Sequence, residues 1–123
     1  MRFEPGMIHF LSGHEPREIA TAPPVVAEIE YGVTRLDPGS PKGVLLRARA
    51  DALLNRIAVL EWDAQASRLF GEMKAALEKA GTPIDDFDIA IAAVAKSHGA
   101  EVITANLVHF SRIEGLSCRH WSG

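Results

Sequence analysis

"TPIDDFDIAIAAVAKSHG" occupies residues 82–99 and joins three aspartates within four positions to an almost unbroken apolar run. An unpaired carboxylate in an apolar interior costs several kcal/mol, so these acids belong at the end of a buried helix or where something approaches them. The run predicts a helix over 85–98, closed by Gly99. Thr82, Pro83 and Asp85 have the spacing of a capping box, with Thr82 as N-cap, Pro83 at N1 and Asp85 at N3. Asp86 fits a solvated first-turn acid favoured by the helix dipole. Asp88 differs from both. It falls beside Ala92 and Ala95, on the border of the Phe87, Ile91 and Val94 stripe, where small neighbours leave room for a ligand. The alternative for Asp88 is a dipole-stabilising acid with no further role.

Outward from this helix the pattern alternates. "EIATA" (18–22) is a short strand candidate, and "PPVVAEIEYGVTRL" (23–36) reads as a helix with prolines in its first turn. "DPGSPK" (37–42) breaks the chain, and "GVLLRARADALLNR" (43–56) predicts a second amphipathic helix. "IAVLEW" (57–62) predicts a strand, and Asp63 caps a long helix that Gly81 ends. "EVITAN" (101–106) and "LSCRHW" (116–121) predict the last strands. Such alternation defines an α/β domain, a small and mostly parallel central sheet with helices on both faces, spanning 1–123 as a single unit. Sites in such sheets gather beyond the carboxyl ends of strands, where Asn106 falls.

Composition narrows the function. Apolar residues at 47% and charged residues at 24% are ordinary for a globular domain, which excludes a disordered chain. A net charge of −3 excludes a protein that coats nucleic acid by bulk electrostatics, though not a nuclease with an acidic site. Cys118 is the single cysteine, no Cys/His zinc spacing occurs, and no apolar segment reaches membrane-spanning length, so a cytoplasmic protein is expected. His9, His14, His98 and His120 show no mutual ligand spacing and read as surface or packing residues.

Glu28 raises the question of Asp88 again. It sits at the edge of the Val25, Ile29 and Leu36 stripe, one turn before Gly32, whose place inside a helix suggests a packing or access reason. A solvated flank near Arg35 is the alternative, and Glu30 on the far edge reads as a surface residue. Two half-buried carboxylates on different helices, with Asn106 at a strand end, are the parts of a Mg²⁺ or Mn²⁺ site, because hard cations want oxygen ligands.

"ATAPPVVAEIEYGV" (20–33), "GTPIDDFDIAIAAVAKSHGAEVITANLVHFSRIEGL" (81–116) and the final "HW" resemble the PIN-domain ribonucleases, specifically the VapC-type toxins of bacterial toxin–antitoxin pairs. The resemblance runs from about residue 19 to 121 in one consistent order. It implies a metal-dependent endoribonuclease in which Asp88 is the metal-binding aspartate, Glu28 the helical glutamate and Asn106 the polar position after the penultimate strand. His109 falls where many members carry a further acid. The resemblance also implies RNA as substrate and a VapB-like antitoxin as partner, lying on the first helices near Tyr31, Leu45, Leu46, Leu53 and Leu54; a homodimer is compatible with it. One departure matters. Family members open with an apolar strand and Asp-Thr-Asn, whereas this chain reads "MRFEPGMIHFLSG", with Glu4 near the aspartate's position and Pro5 and Gly6 after it. The metal site is then rebuilt around Glu4, weakened or lost, and a PIN domain that binds without cutting is the rival expectation.

Overall fold

A computed structural model describes residues 19–120, which fall into two compact units, one ending at Val59 and the other starting at Leu60. Glu4 and the opening motif lie outside the described residues.

In the first unit, β1 (Ala20–Thr21) pairs in parallel with β2 (Ala58–Val59), with Ala20 opposite Ala58 and Thr21 opposite Val59. Parallel pairing requires a crossover, and α1 (Pro23–Thr34) and α2 (Pro41–Leu54) supply it. Ala22 is extended at the N-cap of α1, and the prolines fix the first-turn φ where missing N–H donors cost nothing. The turn between the helices is built by side chains. Gly39 N–H donates to Asp37 Oδ1 at 3.0 Å, and Ser40 Oγ donates to the Asp37 carbonyl at 2.7 Å. Ser40 Oγ also accepts from Gly43 N–H at 3.0 Å, so Ser40 is the N-cap and α2 starts at Pro41, two residues before the predicted start.

Gly43 is buried in that first turn, and a Cβ there would collide with the Asp37 carbonyl. Alanine is the better helix former by about 1 kcal/mol, but it would have to push the backbone of the turn aside. We expect Gly43→Ala to destabilise the protein by roughly 1–3 kcal/mol, read as a lower urea midpoint; an unchanged or raised midpoint would show that the turn yields freely.

Glu30 is the surface residue its position predicts, its side chain 44% exposed, and Arg47 grips it with two bonds, Nη2 to Oε2 at 2.8 Å and Nη1 to Oε1 at 3.2 Å, while Nη1 also reaches Asp51 at 3.1 Å. The Arg47 hydrogen bonds hold the Glu30 carboxyl below its ordinary range. Gly32 has no packing reason among the described residues, since a Cβ there would meet nothing within 4 Å. The amphipathic pattern of α2 is also imperfect. Gly43 and Ala50 are buried, whereas Val44 and Leu45 are 57% and 51% exposed, and Tyr31 on α1 is 64% exposed.

The second unit holds the larger core. Asp63 Oδ1 accepts from Ala66 N–H at 2.7 Å and starts α3 (Ala64–Lys79), as its sequence position predicts. Gly81, at φ +73°, ends it in the left-handed region. The predicted strand over 57–62 contracts to Ala58–Val59. Beyond it the Glu61 carbonyl meets His98 Nε2 at 2.8 Å, and Trp62 Nε1 donates to Ser67 Oγ at 2.7 Å while its ring tilts against Phe70. Those contacts hold the chain against helices instead of a ladder.

Met73 and Leu77 of α3 pack on α4 (Asp86–Ser97), which buries Ile89, Ala92, Ala93, Val94 and Ala95. The most buried positions thus include Ile89 and Ala93, outside the Phe87, Ile91 and Val94 stripe the spacing picked out. β3 (Val102–Thr104) pairs in parallel with β4 (Cys118–His120), and α5 (Leu107–Phe110) links them. Phe110 and Ile113 close the core from that link. The α/β class with short parallel strands is as the sequence led us to expect; the four-residue α5 was not predicted.

Candidate active site around Asp88

The start of α4 assigns different work to its three aspartates. Asp85 is extended, at φ −62° and ψ 138°, and its Oδ1 accepts from Phe87 N–H at 3.1 Å, so Asp85 itself is the N-cap. The capping box predicted on Thr82 is corrected accordingly: Thr82 and Pro83 precede the helix. Packing explains the shift. With Asp85 as cap, Ile84 falls at N′ and Ile89 at N4, and both join the same core cluster as a hydrophobic staple. Asp86, at N1, pairs with Lys74 Nζ of α3 at 3.1 Å. Asp85→Ala should cost about 1 kcal/mol through the lost cap, whereas Asp85→Asn keeps a capping oxygen and should change the urea midpoint little. Equal losses in both variants would contradict this assignment.

Asp88, at N3, has a side chain only 15% exposed, with Ala92 and Ala95 buried one and two turns on. Burial holds its carboxyl above the ordinary carboxylate range; His109 counteracts this and the charge of Asp85 adds to it. Opposite it, the carboxyl end of β3 turns into α5. Thr104 is buried, and its Oγ1 accepts from Asn106 N–H at 2.8 Å, which ends the strand two residues short of the predicted 106. Asn106 Nδ2 lies 2.7 Å from His109 Nδ1, and His109 Nδ1 lies 3.6 Å from Asp88 Oδ2. Asp88 and Asn106, both expected at the site, are therefore joined through His109 within the second unit. Sequence reasoning noted His109 without making it a ligand; its i, i+3 spacing from Asn106 is the signal that puts both side chains on one face of a short turn. Glu28 is partly buried on α1 in the first unit.

Among the described residues no three His, Cys, Asp or Glu side chains form a metal-binding group. The donors near Asp88 nevertheless suit a hard cation in kind. A carboxylate whose charged form is disfavoured by burial gains from a neighbouring positive charge, and a carboxylate is the kind of ligand a hard cation takes.

A half-buried acid at a helix start, facing the carboxyl end of a parallel strand, defines an α/β protein with an acidic site. The chain belongs to the PIN domain family, which it matches over residues 9–116. It is 31% identical over 103 residues to "Ribonuclease VapC2" of Rickettsia felis, covering 84% of this chain and 74% of that protein. It is 38% identical over 74 residues to "tRNA(fMet)-specific endonuclease VapC" of Salmonella typhimurium, covering 60% of this chain and 56% of that one. A chain in the crystal structure of DNA-bound VapBC from Salmonella typhimurium superposes with a TM-score of 0.80 at 29% identity, over 95% of this chain and 86% of its own length. Within the family the chain is thus of the VapC type.

Proposed function

We propose that this chain is a metal-dependent endoribonuclease, the toxin of a toxin–antitoxin pair, acting in the cytoplasm on RNA phosphodiester bonds. The observation that carries the reading is the half-buried Asp88 carboxylate 3.6 Å from His109, which in turn meets Asn106 at the end of β3, in a chain of the VapC type. Asp88 would hold Mg²⁺ or Mn²⁺, and Glu28 and Glu4 stay candidate ligands on the family resemblance alone. Such an ion activates water and stabilises charge on phosphate oxygens when bound. Asp88 contributes negative charge kept partly from water, where it acts more strongly on a cation. Asn106, fixed through Thr104 Oγ1, presents an uncharged polar group at the strand end. Incubating the purified chain with RNA, with Mn²⁺ or with chelator, tests the reading: cleavage with metal and none with chelator is expected, and no cleavage under either condition contradicts it.

A second reading is a PIN domain that binds its partner and cuts weakly or not at all. The sequence "FEPG", where the family carries Asp-Thr-Asn, favours it. Both readings share a VapB-like antitoxin. Tyr31, Val44 and Leu45 expose apolar area on α1 and α2, the element pair that an amphipathic antitoxin segment would cover. Leu46, Leu53 and Leu54 are half-buried along α2. Co-expression with the neighbouring small open reading frame should give a co-purifying complex, and the Tyr31→Glu and Leu45→Glu double variant should weaken it by about tenfold or more. A chain with no affinity for that neighbour would count against the toxin–antitoxin role. No helix among the described residues is long and apolar enough to cross a membrane.

A further inference from the structure

The start of α4 gathers negative charge. Asp85, Asp86 and Asp88 fall within four residues, so an RNA phosphate approaching Asp88 meets repulsion there. Lys74 pairs with Asp86 at 3.1 Å, and its charge is engaged in that contact. Arg112 is placed differently. Its Nη1 donates to the Pro83 carbonyl at 3.4 Å, just before the first of those acids, and its side chain pairs with no carboxylate among the described residues. The backbone explains its place. Arg112 N–H donates to the His109 carbonyl at 3.2 Å, and Ile113 N–H to the Phe110 carbonyl at 3.1 Å. Such bonds between residues three apart make a 3₁₀ turn, in which side chains three apart stand one above the other. His109, 3.6 Å from Asp88, and Arg112 thus form one row along the start of α4, which meets Asp88 at one end and Pro83 at the other.

Resting on the ribonuclease reading above, we propose that Arg112 binds a backbone phosphate of the RNA next to the bond to be cut, and so positions the strand against Asp88. The guanidinium presents a planar fork of N–H donors that matches phosphate oxygens, and the bond to Pro83 engages only one of its nitrogens. At 3.4 Å that bond is weak and its acceptor is uncharged, so the positive charge stays available to an anion. Arg112 is exposed, which gives a strand access to it. A phosphate contact carries no sequence information, so Arg112 sets register and affinity and leaves the choice of base to other groups.

The test follows a fluorescein-labelled single-stranded RNA of mixed sequence by anisotropy, with the purified full chain in chelator, where metal-dependent cutting is off. Arg112→Gln keeps an N–H for the Pro83 carbonyl and loses the charge. It should bind about three- to tenfold more weakly, and its slope of log affinity against log salt should shrink by about 0.7, the share of one phosphate on a single strand. Arg112→Lys should keep the wild-type slope, and both variants should unfold near the wild-type urea midpoint. With Mn²⁺, the Arg112→Gln protein should show a raised KM and a kcat within a few-fold of wild type. A wild-type salt slope in Arg112→Gln would overturn the assignment and leave the ribonuclease reading standing. Equal losses of binding in both variants, with lowered urea midpoints, would also overturn it, because they mark a structural bond to Pro83. The expected pattern of binding in a chain that never cuts RNA would keep the phosphate contact and contradict the ribonuclease reading. A wild type that neither binds nor cuts RNA would overturn both.

Discussion

Ile89→Ala is expected to lower the stability of the second unit by about 2–5 kcal/mol, the range for truncating a large buried aliphatic side chain. Ile89 is 1% exposed and sits at N4 of α4, so the change removes both core volume and one half of the staple with Ile84. Its neighbours Ala92 and Ala93 are already minimal side chains and have little to give, so they cannot collapse into the space. The measurement is equilibrium urea unfolding followed by tryptophan fluorescence, since Trp62 packs against Phe70 of α3 in the same unit. A loss under about 1 kcal/mol would mean that the α3–α4 interface is looser than its burial implies.

Asp88→Asn should separate stability from function. Burial, with Asp85 adding to it and His109 opposing it, raises the folded-state pKa of Asp88 above its unfolded value. The folded protein therefore binds this proton more tightly than the unfolded chain does. Stability from that proton is fully present below the unfolded pKa, and it is lost as pH rises through the folded one. At about pH 7 the ionised carboxylate is a cost to the metal-free protein, and the isosteric amide removes it. The variant should then unfold at higher urea than wild type near neutrality, with the difference fading below about pH 4. Added Mn²⁺ should reverse the order by stabilising the wild type alone. A variant less stable than wild type near neutrality, without metal, would contradict the direction of this shift.

The fold was legible where a local pattern and a local cause coincide. Asp63 as a cap, Gly81 and Gly99 as stops, and the apolar run after Asp88 each depend on residues a few positions apart, and all stand near where the sequence puts them. Asp85 stands at the N-cap and not at N3 because the packing of Ile84 on the core fixes where the helix begins, which the capping-box spacing from Thr82 does not reveal. The Glu30–Arg47 pair joins residues 17 apart on separate helices, a distance over which no helical spacing carries information. α5 is four residues long, too short for any period to reveal. At the site, Asp88 and Asn106 were legible from their positions at a helix start and a strand end. The central place of His109 was not, because it depends on how α5 turns back toward α4.

RNA cleavage by three purified proteins, wild type, Asp85→Asn and Asp88→Asn, tests the central claim most directly, with equal folded fractions and saturating Mn²⁺. The account predicts wild-type activity within a few-fold for Asp85→Asn, because an amide still caps α4. It predicts a loss of more than about 100-fold for Asp88→Asn, because the amide cannot replace an anionic ligand to a hard cation. Equal activity in the two variants would contradict it: Asp88 would then be another first-turn acid, and the chemistry would reside elsewhere.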